Sequence, residues 1–233
     1  MDNECQESSL LRALLPTGIT CSEWLGRTAL SGLALSPSVW RLPIGVTANR
    51  VYEFSAGRSC AQHALTQLGV PNTEIGVGLD RRPQWPALLT GSITHTHGFS
   101  AAAIGVRARF DAIGIDAERV GLVSKDLWRT FLSRSEIAWL AEHPTADQPR
   151  AATLMFSAKE AFYKCQYEIT AQWLEFKDIG LELIEGDFHR GCFRVHPINH
   201  VQLFEGDCGL VNVEFATDPQ LVLSAMVMSS SAT

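Results

Sequence analysis

GSITHTHGFSAAAIGVRARFDAIGIDAE (91–118) carries the decisive reading of this 233-residue chain. Its middle, AAAIGV (101–106), is short and wholly apolar, the pattern of a buried strand. AIGIDAE (112–118) reads as a second strand, and RARFD (107–111) as the hairpin turn that joins them. A connection this short predicts an antiparallel pair. The Gly, Ser and Thr residues of 91–98 predict a loop that enters the first strand.

Upstream, IGVGL (75–79) reads as a short strand, and RRPQWP (81–86) as an irregular loop because two prolines exclude regular pairing. Further back, Val51, Phe54, Arg58, Ala61, Leu65 and Leu68 fall at three- and four-residue steps, which predicts a helix over 47–68. Gly69 follows at a C-cap position and Pro71 blocks continuation. Arg50 and Arg58 lie eight residues apart on this helix, a little over two turns, so they can share a side.

Downstream, Ser133 and Glu136 match a capping box before IAWLAEH (137–143). A polar, proline-containing stretch (143–149) leads into a helix over 151–167. Strands follow at 179–184, 192–196, 210–215 and 221–227, with Asp218-Pro219 marking the last turn. The fold class is therefore α+β, with helices and strands interspersed in both halves.

Hydrophobic residues make up 46% and charged residues 19%, the balance of a globular chain with a substantial core. The net charge of −6 argues against bulk affinity for nucleic acid or an anionic membrane. An anionic ligand must be held by a local cluster of Arg, Lys and His. Six cysteines show no CxxC spacing, so neither a disulfide framework nor a zinc ribbon is indicated and a reducing cytoplasm is expected. The N-terminal MDNECQESSL is no signal peptide. No stretch approaches the roughly 20 apolar residues of a spanning helix.

Three motifs carry chemistry. In Gly114-Ile-Asp116-Ala-Glu118, strand alternation points both carboxylates to one face, their origins about 6–7 Å apart. Such a pair suits one hard divalent cation. A lone DxE is nevertheless more often a solvated strand end. In FSAKEAFYK (156–164), Glu160 and Lys164 stand one turn apart; alone, they read as a surface i,i+4 pair. Joined to the DxE, they become a third carboxylate and a cation for phosphate, with Lys159 a second. In GSITH (91–95), Thr94 and His95 supply a hydroxyl and an imidazole that can hydrogen-bond a phosphate. A zinc reading of His95-x-His97 lacks a cysteine or third histidine at suitable spacing.

These three blocks, in this order, closely resemble the signatures of the larger (Sfp-type) 4′-phosphopantetheinyl transferases, which activate surfactin and enterobactin synthetases. EFSAGRSCAQHALTQLGV (53–70), RRPQWP (81–86) and WLEF (173–176) extend the resemblance over roughly residues 50–185. It implies two similar α/β halves, 1–110 and 111–233, related by pseudo-twofold symmetry, with coenzyme A between them and the boundary near Arg109–Asp111. The first half would contact the nucleotide end of coenzyme A, and the second would carry the metal and catalytic residues.

By the same resemblance, Asp116, Glu118 and Glu160 are ligands of Mg²⁺, with Mn²⁺ as the alternative. Glu160 is also the base for the acceptor serine, directly or through water. Lys164 assists the departing 3′,5′-ADP, and Lys159 belongs to the same block. Thr94 and His95 contact the 3′-phosphate, while Arg50, Arg58 and one of Arg81 and Arg82 contact the nucleotide end. Thr94 replaces a frequent serine, Phe156 stands where some members have Trp, and Ala117 offers no polar group between the acids. The implied activity is phosphopantetheine transfer from coenzyme A to acyl, peptidyl or aryl carrier proteins, as used in nonribosomal peptide, polyketide and siderophore synthesis. A chain with both halves is expected to act as a monomer. Residues 119–150 are the natural carrier-binding segment. The competing reading is a non-catalytic protein that binds coenzyme A or a nucleotide; a binder, however, needs no base.

Overall fold

The computed structural model describes residues 10–25, 45–71, 73–198, 211–217 and 219–230. Cys5, Cys208, Leu210 and Asp218, and the N-terminal nine residues, lie outside them. Two compact units result, one running to Ile113 and taking back Met228 onward, the other comprising Gly114–Val227.

In the first unit, helix α1 (Ala48–Gln67) starts where Thr47 accepts a hydrogen bond from the Arg50 backbone N–H, and Gly69, at a φ of 78°, follows its end. A left-handed residue at that point costs glycine little. The buried face consists of small residues (Ala56, Gly57, Cys60, Ala61, Ala64) with Leu65, whereas Val51 and Phe54 are only half-buried. Small side chains let the helix lie close to a sheet. A Cβ on Gly57 would stand 2.7 Å from Ile93 Cγ2.

That sheet has three antiparallel strands in the order β1 (Thr20–Leu25), β5 (Phe99–Val106), β4 (Leu89–Thr96). Two expectations fail here. GSITH is no loop but the centre of β4, paired residue for residue with β5 from Leu89↔Val106 to Thr96↔Phe99. Its Ile and Thr are β-branched and alternate between faces, and Gly98, at a φ of 76°, closes the hairpin. Nor does β5 pair with the strand that follows it. Both edges of β5 are already taken by β1 and β4, so β6 (Phe110–Arg119) joins a different sheet.

Two short strands, β2 (Gly76–Val77) and β3 (Pro83–Gln84), pair despite Pro83. In a two-stranded ribbon the missing N–H can face outward. The predicted irregular loop therefore contains a small antiparallel ladder.

The second unit holds a five-stranded sheet in the order β6, β10 (Leu221–Ser229), β9 (Val211–Thr217), β8 (Arg190–Pro197), β7 (Ile179–Gly186). Helices α2 (Trp128–Phe131), α3 (Arg134–Ala141) and α4 (Gln148–Thr170) precede the last four strands. The capping box at α3 forms as expected, Ser133 and Glu136 each accepting the other's backbone N–H. α4 buries Ala151, Leu154, Met155, Ala158, Ala161, Phe162 and Cys165, and the sheet contributes Phe193, Val195, Val213 and Phe215 to the core.

Candidate active site

The acidic cluster depends on how closely α4 crosses β6. A Cβ on Gly114 would collide with the Ala161 carbonyl oxygen and stand 2.7 Å from the Cys165 backbone nitrogen. Glycine at 114 thus brings the strand against the helix backbone. Asp116, two residues on, then lies within reach of α4.

Asp116 is no solvated strand end: it is 4% exposed. Its Oδ1 accepts from Lys164 Nζ at 2.7 Å, and Lys164 also donates to the Ile115 carbonyl at 3.0 Å. Nor is Glu160–Lys164 an isolated surface pair. Burial pushes the Glu160 carboxyl above its ordinary range; Lys164 opposes this and Asp116 adds to it. For Lys164, burial acts downward, but Asp116, Glu160 and Glu118 together hold the ammonium above its usual value. Three carboxylates and one lysine thus form a single electrostatic unit.

The set fits Mg²⁺ in chemistry, being all oxygen donors from acidic side chains. As they stand, no three His, Cys, Asp or Glu side chains among the described residues converge tightly enough to enclose a metal ion. The Lys164 ammonium is the cation that Asp116 holds at 2.7 Å.

Lys159 belongs elsewhere. Its side chain is 0% exposed, and Nζ donates to Glu136 Oε2 at 2.9 Å and to the carbonyls of Phe131, Phe176 and Ile179 at 2.9–3.0 Å. An ammonium has three protons, and these four acceptors engage all of them. The expectation that Lys159 contacts a phosphate is corrected: it holds the 131–136 and 176–179 segments against α4. Glu136 completes the knot, accepting from the Leu181 N–H at 3.0 Å and the Ser133 N–H at 2.6 Å.

In the first unit, Arg50 Nη1 lies 2.7 Å from His95 Nε2. Ile93 and His95 share the face of β4 toward α1, whereas Thr94 points to the opposite, buried face. Thr94 and His95 are therefore neighbours in sequence but not on one surface. Arg58 is buried as well: its Nη1 donates to the carbonyls of Ile75 and Gly76, and its Cζ lies 5.0 Å from the Phe54 ring centre. Burial pushes this guanidinium down to about 10, against the pull of Glu74, so it stays charged at neutral pH. It serves the turn after α1, not the exposed face where Arg50 sits. Arg82 donates to Asp80 at 2.7 Å, and Arg81 adopts a φ of 70° in the turn between β2 and β3.

Sequence reading missed three participants. Glu136 looks like a helix cap only; its bond to Lys159 arises from the fold. Glu53 stands 3.7 Å from His95 Nδ1 and 3.9 Å from Arg50. Tyr163, stacked on Tyr167 and edge-on to the exposed Trp173, makes an aromatic patch beside Glu160 on α4.

Comparison with known proteins agrees with this arrangement of motifs. Residues 45–105 match the family described as the 4′-phosphopantetheinyl transferase N-terminal domain, and residues 112–205 match the 4′-phosphopantetheinyl transferase superfamily. The chain is 33% identical over 184 residues to the 4′-phosphopantetheinyl transferase Npt of Nocardia iowensis, covering 78% of this chain and 81% of that protein. It is 36% identical over 154 residues to PptT of Mycobacterium tuberculosis, covering 63% of this chain and 64% of PptT. Enterobactin synthase component D of Escherichia coli is 34% identical over 152 residues, with 63% and 71% covered. The chain belongs to the 4′-phosphopantetheinyl transferase superfamily.

Proposed function

We propose that this transferase moves phosphopantetheine from coenzyme A to the serine of an apo carrier protein, with Asp116, Glu118, Glu160 and Lys164 as the reacting centre. The observation that carries the proposal is the Lys164 ammonium, held by the buried Asp116 at 2.7 Å and one helical turn from Glu160. The serine Oγ attacks the β-phosphorus, the bond from that phosphorus to the bridging oxygen breaks, and 3′,5′-ADP departs. Glu160 takes the serine proton. A carboxylate within hydrogen-bond reach of the hydroxyl can serve as the base. Lys164 stabilises the charge that grows on the leaving oxygen.

Asp116, Glu118 and Glu160 would hold Mg²⁺, or Mn²⁺ in its place. The ion, once bound, would neutralise pyrophosphate charge, as metals do in related phosphoryl transfers. Arg50 and His95 would receive the 3′-phosphate, with Arg81 as a further contact to the nucleotide end. Exposed Leu122 and Leu127 support the 119–150 segment as the face for an acyl, peptidyl or aryl carrier.

The test is incubation with coenzyme A, Mg²⁺ and several apo carriers, followed by mass spectrometry. A gain of one phosphopantetheine on the carrier serine is expected. No gain on any carrier would exclude the activity.

A further inference from the structure

A carboxylate beside a phosphate site needs an explanation, and Glu53 is such a carboxylate. It lies one turn after Arg50 on α1 and near the same imidazole. Arg50 Nη1 lies 2.7 Å from His95 Nε2 and 3.4 Å from its Nδ1, and Glu53 Oε2 lies 3.7 Å from that same Nδ1. The other oxygen of Glu53, Oε1, accepts from Asn49 Nδ2 at 2.7 Å, which stops the carboxylate from swinging away. Across the hairpin, the residue opposite His95 is Ser100.

We propose that Glu53 is a positioning residue for the 3′-phosphate of coenzyme A, acting through His95 and Arg50. This rests on the assignment of those two residues to the phosphate. A phosphate monoester is rich in acceptors and draws the Arg50 N–H away from Nε2. The His95 ring can then turn an N–H of its own to the phosphate as a second donor. A carboxylate fixed beside the imidazole orients the ring, as carboxylates do for ligating histidines. Glu53 therefore raises selectivity for coenzyme A over its 3′-dephospho form, while leaving the chemical step alone.

Glu53→Gln keeps the size and an oxygen for Asn49 but removes the charge. KM and kcat are measured for coenzyme A and for 3′-dephospho-coenzyme A with one apo carrier. KM for coenzyme A should rise about tenfold, the low end of what losing such a supporting carboxylate does. KM for the dephospho form and kcat for both should stay within about twofold of wild type. Three outcomes overturn the proposal: an unchanged KM for coenzyme A, a lowered one, or an equal rise for both substrates. If the wild-type protein modifies no carrier, the activity itself fails. Calorimetric binding of the two nucleotides to wild type and Glu53→Gln then still decides the role of Glu53, since it needs no transfer.

Discussion

Lys159 and Lys164 sit five residues apart on one helix and end in opposite situations. At about 100° per residue their side chains diverge by about 140° around the helix axis. Lys159 turns into the core, where one carboxylate and three carbonyls enclose it. Lys164 keeps 28% of its side chain exposed and shares Asp116, Glu118 and Glu160. The first lysine satisfies a fixed set of acceptors and has no protons left for a ligand. The second stands among more negative charge than it can neutralise, which is the condition for recruiting further cations. One motif thus supplies both a structural clamp and a reactive group.

The comparison breaks most sharply at Lys159. Lys159→Met leaves the Glu136 carboxylate buried without its cation, and removing one partner of such a pair costs about 3–5 kcal/mol. A large drop in the denaturant midpoint is expected. The double change Lys159→Met with Glu136→Leu should recover much of it, because apolar replacement of both partners is often neutral. If the single variant unfolds at the wild-type midpoint, the clamp is not structural.

A smaller loss is expected at Gly114. Gly114→Ala forces a Cβ against the backbone of α4 and should destabilise by about 1–3 kcal/mol, as overpacking does. It moves the strand that bears Asp116, so transfer should fall as well. A variant with native stability and activity would show that the strand and helix need not approach so closely.

Glu160 should give a gain, with a sign set by its raised pKa. The folded protein holds the proton at Glu160 more tightly than the unfolded chain does. Stability is therefore lost as pH rises from the ordinary glutamate value through the raised one. Glu160→Gln should accordingly raise the melting temperature of the metal-free protein at pH 8. The gain should vanish below about pH 4, where the unfolded glutamate is protonated too. Loss of stability at pH 8 would contradict the assigned direction.

Lys164 should register in both stability and turnover. Lys164→Met leaves Asp116, only 4% exposed, without its cation, so the melting temperature should fall. It should also reduce kcat by roughly 10²-fold or more, the scale of one electrostatic stabiliser. Lys159 is read in stability alone, Lys164 in stability and turnover together.

Much of this was legible beforehand. The two long helices, the capping box and the last four strands followed from periodicity, caps and turn residues. The acidic and lysine positions followed from motif order. What stayed hidden depended on pairings between distant segments. That β5 has no free edge for β6 follows from β1, which no strong pattern announced. That Thr94 and His95 face apart follows from GSITH being a strand, and its small polar residues suit a loop equally well. The burial of Lys159 needs acceptors drawn from residues 131–179, which the spacing within one helix cannot reveal. Glu53 was invisible for the same reason: its chemistry arises only where α1 meets β4.

The most direct test of the central claim is the turnover of Glu160→Gln at saturating coenzyme A, Mg²⁺ and apo carrier. A fall in kcat of roughly 10²–10⁴-fold, the scale for a general base, with coenzyme A binding retained by calorimetry, is expected. A kcat equal to that of the wild-type protein would contradict the assignment of Glu160 as the group that takes the serine proton.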